Sequence, residues 1–339
     1  MLQSFYSFEI YDKNRGDTFM NEKYVFLKPT FSTAIWGDGT LVHHYHVENY
    51  VPKNMNIDEV TGLGAFSGFP QDANEILNGE YKGRKLNELY EEHPEMFGTP
   101  STLKWEHIPV SMGIAHACAD LSIQVHPTEQ YALKNLGCHG KSESWYIVDC
   151  PPHSDIVMGH NAKTFEELDE YIQKKDWNGL LKRYPIFPGS FYNIQAGTLH
   201  AIQKGTTFME VCNPCPITYR FYDYDRLDKN GQPRQLDIEK AKDNILVPFE
   251  CQDTYYRYRN HQGVTEINLT DNENFSVYKY VVKGEGELTM PKPYLGAFVI
   301  DGEGQIEDVY LKAGDSFLIS ANVKKLVWKG EMTILAYYG

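Results

Sequence analysis

The stretch PGSFYNIQAGTLHAIQKG at 188–205 can be laid without a gap over AGDSFLISANVKKLVWKG at 313–330. Gly189 meets Gly314, Ala196 meets Ala321 and Gly205 meets Gly330, and the apolar alternation and turn residues recur in the same order. Alternation bounded by Gly and Asn reads as strand, turn, strand. The repeat predicts two double-stranded β-barrels in one chain, although a similarity this short also fits a shared strand–turn–strand composition. His200 of the first copy falls on Lys325 of the second, so a ligand present in the first is lost from the second.

Working outward from His200, two further stretches carry chemistry: SIQVHP at 122–127 and GKSESWYIVD at 140–149. Both read as strands or strand ends. With a side-chain period of two, Ser122, Gln124 and His126 share one face while Ile123 and Val125 point the other way, and Lys141 and Glu143 likewise share a face. His126, Glu143 and His200, with Gln124 as a further donor, then form a mixed nitrogen and oxygen set for one catalytic divalent ion with a position left open, as suits zinc. A lone strand histidine is ordinarily a surface or hydrogen-bonded core residue. Here Pro127 ends the strand directly after His126, and His200 stands in a Gly-Thr-Leu-His turn.

These three stretches resemble the signature of the type I phosphomannose isomerases, metal-dependent cupins. The likeness continues in KYVFLKPTFSTAIWG at 23–37, GRKLNELYEEHPEMFG at 83–98, TYRFYDYDR at 218–226 and FSVYKY at 275–280. It implies a mainly β fold of two cupin-type jelly-roll barrels with a small helical insertion. The catalytic metal-binding domain would span 1–255 and a metal-free cupin domain 256–339, with strands near 23–36 able to complete the second sheet. It also implies a zinc-dependent aldose–ketose isomerase that interconverts mannose 6-phosphate and fructose 6-phosphate through a cis-enediol.

Within that resemblance Glu210, in FMEVC, matches a family carboxylate that moves a proton, or else orients a ligand histidine. Lys141 would donate to a substrate hydroxyl or phosphate, or form a structural ion pair. Arg220 would clamp phosphate or enediolate, since its planar fork suits both. Ser122 and Arg226 complete the expected substrate contacts. PVSMGIAHACADL at 109–121, HHYHVENY at 43–50 and CNPCPITYR at 212–220 depart from the family pattern, so the reaction type is better supported than the sugar. Another sugar phosphate, or a cupin that binds one without turnover, are the alternatives.

The chain has 339 residues, 42% of them hydrophobic and 14% aromatic, ordinary for a globular β-rich enzyme with more than one domain. A net charge of −14 argues against nucleic-acid or acidic-membrane partners, which demand a basic face. An anionic sugar phosphate then needs a local cationic patch, for which Lys141, Arg220 and Arg226 are the candidates. No stretch approaches the roughly 20 apolar residues of a bilayer span, and MLQSFYSFEIYDKNRGD lacks the pattern of an export signal. A cytoplasmic protein, monomeric or homodimeric, is expected.

Six cysteines in a chain of this size are expected as free thiols. Cys212 and Cys215, flanked by Pro214 and Pro216, read as a turn rather than a zinc or redox pair. PTEQYALKNLG at 127–137 reads as a helix opening near Pro127 and closing at Gly137. AKTFEELDEYIQKKDWNGLLKRY at 162–184 reads as a helical insert covering the barrel, capped by Thr164, with Phe165, Leu168 and Ile172 as its inward face. Glu166, Glu167, Asp169 and Glu170 are its solvated face. His43, His44 and His46 are read as a solvated strand edge rather than a second metal site.

Overall fold

The computed structural model describes residues 23–34, 37–98, 107–227, 230–252 and 254–338. The reading of the N-terminal 17 residues, and Ile35 and Trp36 of the 23–37 stretch, lie outside them. Strands predominate, and among the described residues no helix is long and apolar enough to cross a membrane. The chain forms two compact units, one from residues 34–38 and 114–254 and the other from the described residues within 1–33, 39–113 and 255–339.

The expected boundary at 255/256 lies one residue from the observed end of the first of these units. The segment 39–113, however, groups with the C-terminal strands rather than with residues 114–254. Pairing explains this. Tyr24–Lys28 runs antiparallel to Ser316–Ile319, with Tyr24 opposite Ile319 and Leu27 opposite Ser316, and Glu75–Ile76 pairs on its other side. The N-terminal strand thereby covers a sheet edge that would otherwise be an open template for association. Tyr45 then donates its hydroxyl to the Ile300 carbonyl at 3.2 Å, and Ala321 N–H donates to Met96 O at 2.7 Å.

That C-terminal sheet runs Arg257–His261, Val264–Asp271, Ser276–Thr289, Lys325–Tyr338, Leu295–Ile306, Ser316–Ile319, Tyr24–Lys28, Glu75–Ile76, with Val309–Lys312 hairpinned onto Leu295–Ile306. Its core is read straight from the pleat: Tyr278, Tyr280 and Val282 from one strand and Met332, Ile334, Ala336 and Tyr338 from its neighbour all bury on one face, every second residue as strand geometry requires.

The unit of 114–254 holds two sheets. One contains the order Phe191–Ile194, Glu143–Asp149, Thr207–Cys212 and then residues 114–116, the end of the Ser111–His116 strand; the other is Tyr219–Tyr222, Ile123–Val125, His200–Ile202, Asp155–His160, Leu181–Pro185. Trp145, Ile147 and Phe208 from the first and Ile156, Met158 and Ile202 from the second form one apolar cluster. The opposite face of the second sheet presents Ile123, Val125, Val157, Leu199, Ala201 and Phe221, covered by Leu168 and Leu180. Burying each of the Val, Leu, Ile and Phe side chains among these contributes about 1.5–3 kcal/mol.

The cover is the expected insert, in two pieces: helices Phe165–Lys174 and Trp177–Leu180, followed by a strand from Leu181 instead of continued helix to 184. Thr164 accepts from Glu167 N–H, as its capping role predicts. Phe165 is exposed, so Leu168 and the half-buried Ile172 form the inward face. Glu166, Glu167 and Glu170 are solvated, while Asp169 pairs with Lys242 at 2.5 Å. The other expected helix runs Glu129–Asn135, capped by Thr128, so Pro127 precedes the helix rather than opening its first turn, and Gly137 follows it at φ +67°. Thr128 Oγ1 accepts from Tyr131 N–H, a bond proline cannot set up from the preceding position.

The repeat recurs in its turns and in where its strands start, although the second strand is 3 residues long in the first copy and 14 in the second. Phe191–Ile194 and Ser316–Ile319, and then the strand starts at His200 and Lys325, are each separated by 125 residues. Gly189 and Gly314 have φ +92° and +90°. Ser190 N–H bonds Phe187 O as Asp315 N–H bonds Lys312 O, and Thr198 N–H bonds Gln195 O as Val323 N–H bonds Ser320 O. Lys325 is exposed and paired to Glu287 at 2.6 Å.

His43 and His44 end a short helix, Thr40–His44, rather than lying on a strand. His43 faces Glu48 at 3.1 Å. Gly39 at φ +67° turns the chain into this helix, a break that the alternation of the histidines concealed. All six cysteines are free, with Cys212 and Cys215 buried.

Candidate metal centre

His126, Glu143 and His200 meet in the interior of the unit of 114–254, every pair of ligand atoms lying within 4.8 Å. Register builds the site. Gln124 stands opposite both His200 and Arg220 on neighbouring strands, so Arg220, Gln124 and His200 form a row on one face, strands about 4.8 Å apart. On the other sheet Glu143 faces Cys212 and Trp145 faces Glu210, which puts Glu143, Trp145 and Glu210 on a common face. The Trp145 ring packs edge-on against His200, with centroids 5.4 Å apart.

Two glycines bring the loops in. Gly197, at φ +88°, precedes His200 by three residues, and a Cβ there would lie 2.5 Å from Asn244 O. Its N–H donates to His126 O at 3.1 Å, tying the two histidine segments together. A Cβ on Gly140 would come 2.6 Å from Glu129 N. This close approach lets Lys141 N–H reach Pro127 O at 3.1 Å, and so delivers Lys141 beside His126.

The tautomers follow from backbone carbonyls, which only accept. His200 Nδ1 lies 2.8 Å from Thr198 O and His126 Nδ1 3.0 Å from Ile217 O, so each Nδ1 carries its proton and donates. Nε2 is then the nitrogen each ring turns toward the other ligand atoms. Burial pushes the His200 pKa down to about 4, so that ring is neutral at pH 7. The two Nε2 atoms approach Glu143 at 3.3 and 3.4 Å; Glu143 Oε1 has no hydrogen-bond partner, while Oε2 is held by the Lys141 ammonium.

Two imidazole nitrogens and a carboxylate thus converge on one buried point, a donor set that fits a divalent cation. Gln124 Nε2 lies 3.4 Å from His200 Nε2; a half-turn of the amide would present its oxygen to the same point. Glu143 is fully buried, which alone would raise its pKa. The Lys141 ammonium beside it outweighs burial and holds the carboxyl well below the usual range.

Lys141 Nζ stands 2.8 Å from Glu143 and 3.1 Å from Glu210. Burial alone would favour the neutral amine, but the two carboxylates hold its pKa well above the ordinary lysine value. Lys141 is therefore charged at every working pH. Glu210 is the more open member of the group, its side chain 30% exposed.

Arg220 donates from Nη1 to Gln235 O at 3.0 Å, and its buried Nε has no hydrogen-bond partner. The register shifts between Arg220 and Tyr222, and such bulges re-aim side chains. Ser122 is buried two residues before Gln124. Arg226 is committed elsewhere: it bonds Asp223 and donates to Asp120 O at 2.5 Å. Arg234, not singled out from sequence, joins Arg226 on Asp223 with bonds of 2.5 and 2.6 Å. The carbonyls of Thr198 and Ile217, the packing of Trp145 and the role of Arg234 left no local signal, because each depends on chain segments brought together only by the fold.

Residues 25–151 match the family model described as phosphomannose isomerase type I, catalytic domain, and residues 265–338 match mannose-6-phosphate isomerase, cupin domain. The mannose-6-phosphate isomerase ManA of Bacillus subtilis is 36% identical over 305 residues, covering 88% of this chain and 94% of the relative. The mannose-6-phosphate isomerase of Streptococcus mutans is 34% identical, with 92% and 97% covered. A crystal structure of the Bacillus subtilis mannose 6-phosphate isomerase superposes with a TM-score of 0.86 at 36% identity, covering 94% of this chain and all of that one. With its mainly β cupin fold and relatives of this identity along nearly the whole chain, the protein belongs to the type I phosphomannose isomerase family.

Proposed function

We propose that the chain interconverts mannose 6-phosphate and fructose 6-phosphate, with one zinc ion held by His126, Glu143 and His200 and with Gln124 as a fourth donor. The convergence on one buried point of two imidazole Nε2 atoms, each ring anchored through Nδ1 to a backbone carbonyl, and the Glu143 carboxylate carries this reading. Two nitrogens and one carboxylate oxygen suit zinc among the common divalent ions. Once bound, the ion supplies Lewis acidity toward the substrate oxygens.

The surrounding residues supply the remaining chemistry. Isomerisation removes the proton on C2 of the aldose, places the electron pair in a C1–C2 double bond, and returns a proton to C1, while the hydroxyl proton passes from O2 to O1. Glu143 is held among charged neighbours, so Glu210 is the carboxylate with access to take and return the carbon-bound proton. Lys141, permanently charged and 3.1 Å from Glu210, keeps that carboxylate oriented and donates to the substrate oxygens on which charge develops. Arg220, with an unpaired Nε in the interior, is the clamp for enediolate or phosphate. Trp145 fills the space beside His200 and keeps water from it.

The test is a coupled assay on mannose 6-phosphate with native, chelated and zinc-reloaded protein. Turnover that disappears on chelation and returns with zinc supports the reading. Zinc-loaded protein that turns over a different sugar phosphate but not this one would shift the substrate to that sugar, and the divergent 43–50 and 109–121 segments would be where to look.

A further inference from the structure

We propose that Asp38, His116 and Cys118 form a second divalent-cation site of the zinc class, separate from the His126, Glu143 and His200 cluster. The ligand atoms of these three residues lie within 4.8 Å of one another, and all belong to the unit of 114–254 with its short 34–38 segment. A carboxylate, an imidazole and a thiol are the donor types that structural and catalytic zinc sites draw on, and three of them leave a place for water.

The framework under the site is fixed. His116 is the last residue of the Ser111–His116 strand, and Cys118 follows at i+2. Between them, Ala117 N–H donates to Thr206 O at 2.9 Å, and Ala117 O accepts from Gly205 N–H at 2.7 Å. Cys118 N–H closes on His116 O at 3.1 Å. His116 Nδ1 lies 2.8 Å from Thr207 Oγ1, the kind of second partner that orients a ligating imidazole. Its Nε2 then faces Asp38 Oδ2 at 3.9 Å, too far for a hydrogen bond but with room for an ion between them. Cys118 and His116 are half-buried while the Asp38 side chain is 45% exposed, so an ion has a route in. As the sulfur–metal bond forms, the thiol proton passes to solvent. The ion would pin the segment bearing Asp38 to the end of the Ser111–His116 strand.

Cobalt(II) titration of the full chain tests this, because only a thiolate ligand gives the near-ultraviolet sulfur-to-cobalt charge-transfer band. Wild type should take two equivalents, with the band growing alongside the second. His200→Ala should keep the band, and Cys118→Ser should lose it. Thr207→Val should weaken the second equivalent by about 10- to 100-fold. Because Cys118 is partly packed, the exposed Asp38→Asn variant is a second check and should weaken the same equivalent without touching the first. A wild-type titration without the band, a band that survives in Cys118→Ser and so arises from another thiol, or an Asp38→Asn variant with unaltered cobalt affinity would each overturn the proposal.

Discussion

Glu143→Gln is the most informative perturbation of the site, because it removes one charge from a buried, closely coupled pair. Lys141 Nζ is 2.8 Å from the Glu143 carboxylate, and both side chains are largely shielded from water. At an effective dielectric constant of about 20, two charges at that distance attract by roughly 6 kcal/mol. Desolvation offsets part of this in the intact pair. Removal of one partner strands the other, at a cost of about 3–5 kcal/mol. Lys141 retains Glu210 at 3.1 Å, which argues for the lower end.

At about 2–4 °C per kcal/mol for a unit of this size, chelated Glu143→Gln should melt roughly 6–12 °C below chelated wild type. Lys141→Met should also be destabilised, since it leaves Glu143 buried without its main counter-charge. The double variant removes both charges and should lose far less than the sum of the singles. Thermal unfolding of all four proteins in excess chelator at neutral pH provides the cycle. Additivity to within about 0.5 kcal/mol, or an unshifted Glu143→Gln, would refute the electrostatic account of this pair.

Three further outcomes are expected. In chelated protein, His200, with its pKa lowered from 6.5 to about 4, adds stability that is complete above pH 6.5 and is lost as pH falls toward 4, because the unfolded chain takes up the proton first; denaturant melts across that window should show the slope, and His200→Gln should flatten it. Arg220→Ala should lower kcat and kcat/KM together by about 10²–10³-fold if the guanidinium meets developing charge, whereas steady-state kinetics with a normal kcat and a raised KM would assign it to the phosphate. Thr164→Ala should cost about 1 kcal/mol through loss of the cap on the Phe165–Lys174 helix, measured as a change in unfolding free energy with metal binding unaltered.

Local sequence carried much of this molecule. The 188–205 and 313–330 stretches announced their strand boundaries because the turn between them is dictated by residues that sit in it, with Gly189 and Gly314 in the same left-handed conformation. The SIQVHP strand could be sorted into faces because the pleat admits only two, and Ile123 and Val125 do bury in the layer opposite His126. Nonlocal choices were not legible. Nothing in 39–113 says which partner its strands and loops take; the pairing of Tyr24–Lys28 with Ser316–Ile319 decides it across nearly 300 residues. Around the site, the residue types of the ligand set could be read, but the histidine tautomers could not, because they rest on the carbonyls of Thr198 and Ile217. The Asp223 clasp on Arg226 and Arg234 was equally hidden: from sequence Arg226 reads as a substrate contact, and only the fold brings Arg234 onto the same carboxylate.

The central claim is that the ion of the reaction sits among His126, Glu143 and His200. Anomalous diffraction at the zinc edge, from crystals of protein shown to turn over mannose 6-phosphate, tests it most directly. The account predicts a strong peak about 2.0–2.2 Å from His126 Nε2, His200 Nε2 and a Glu143 oxygen, absent from the inactive His200→Ala variant. Active crystals with no anomalous peak at that point would contradict it.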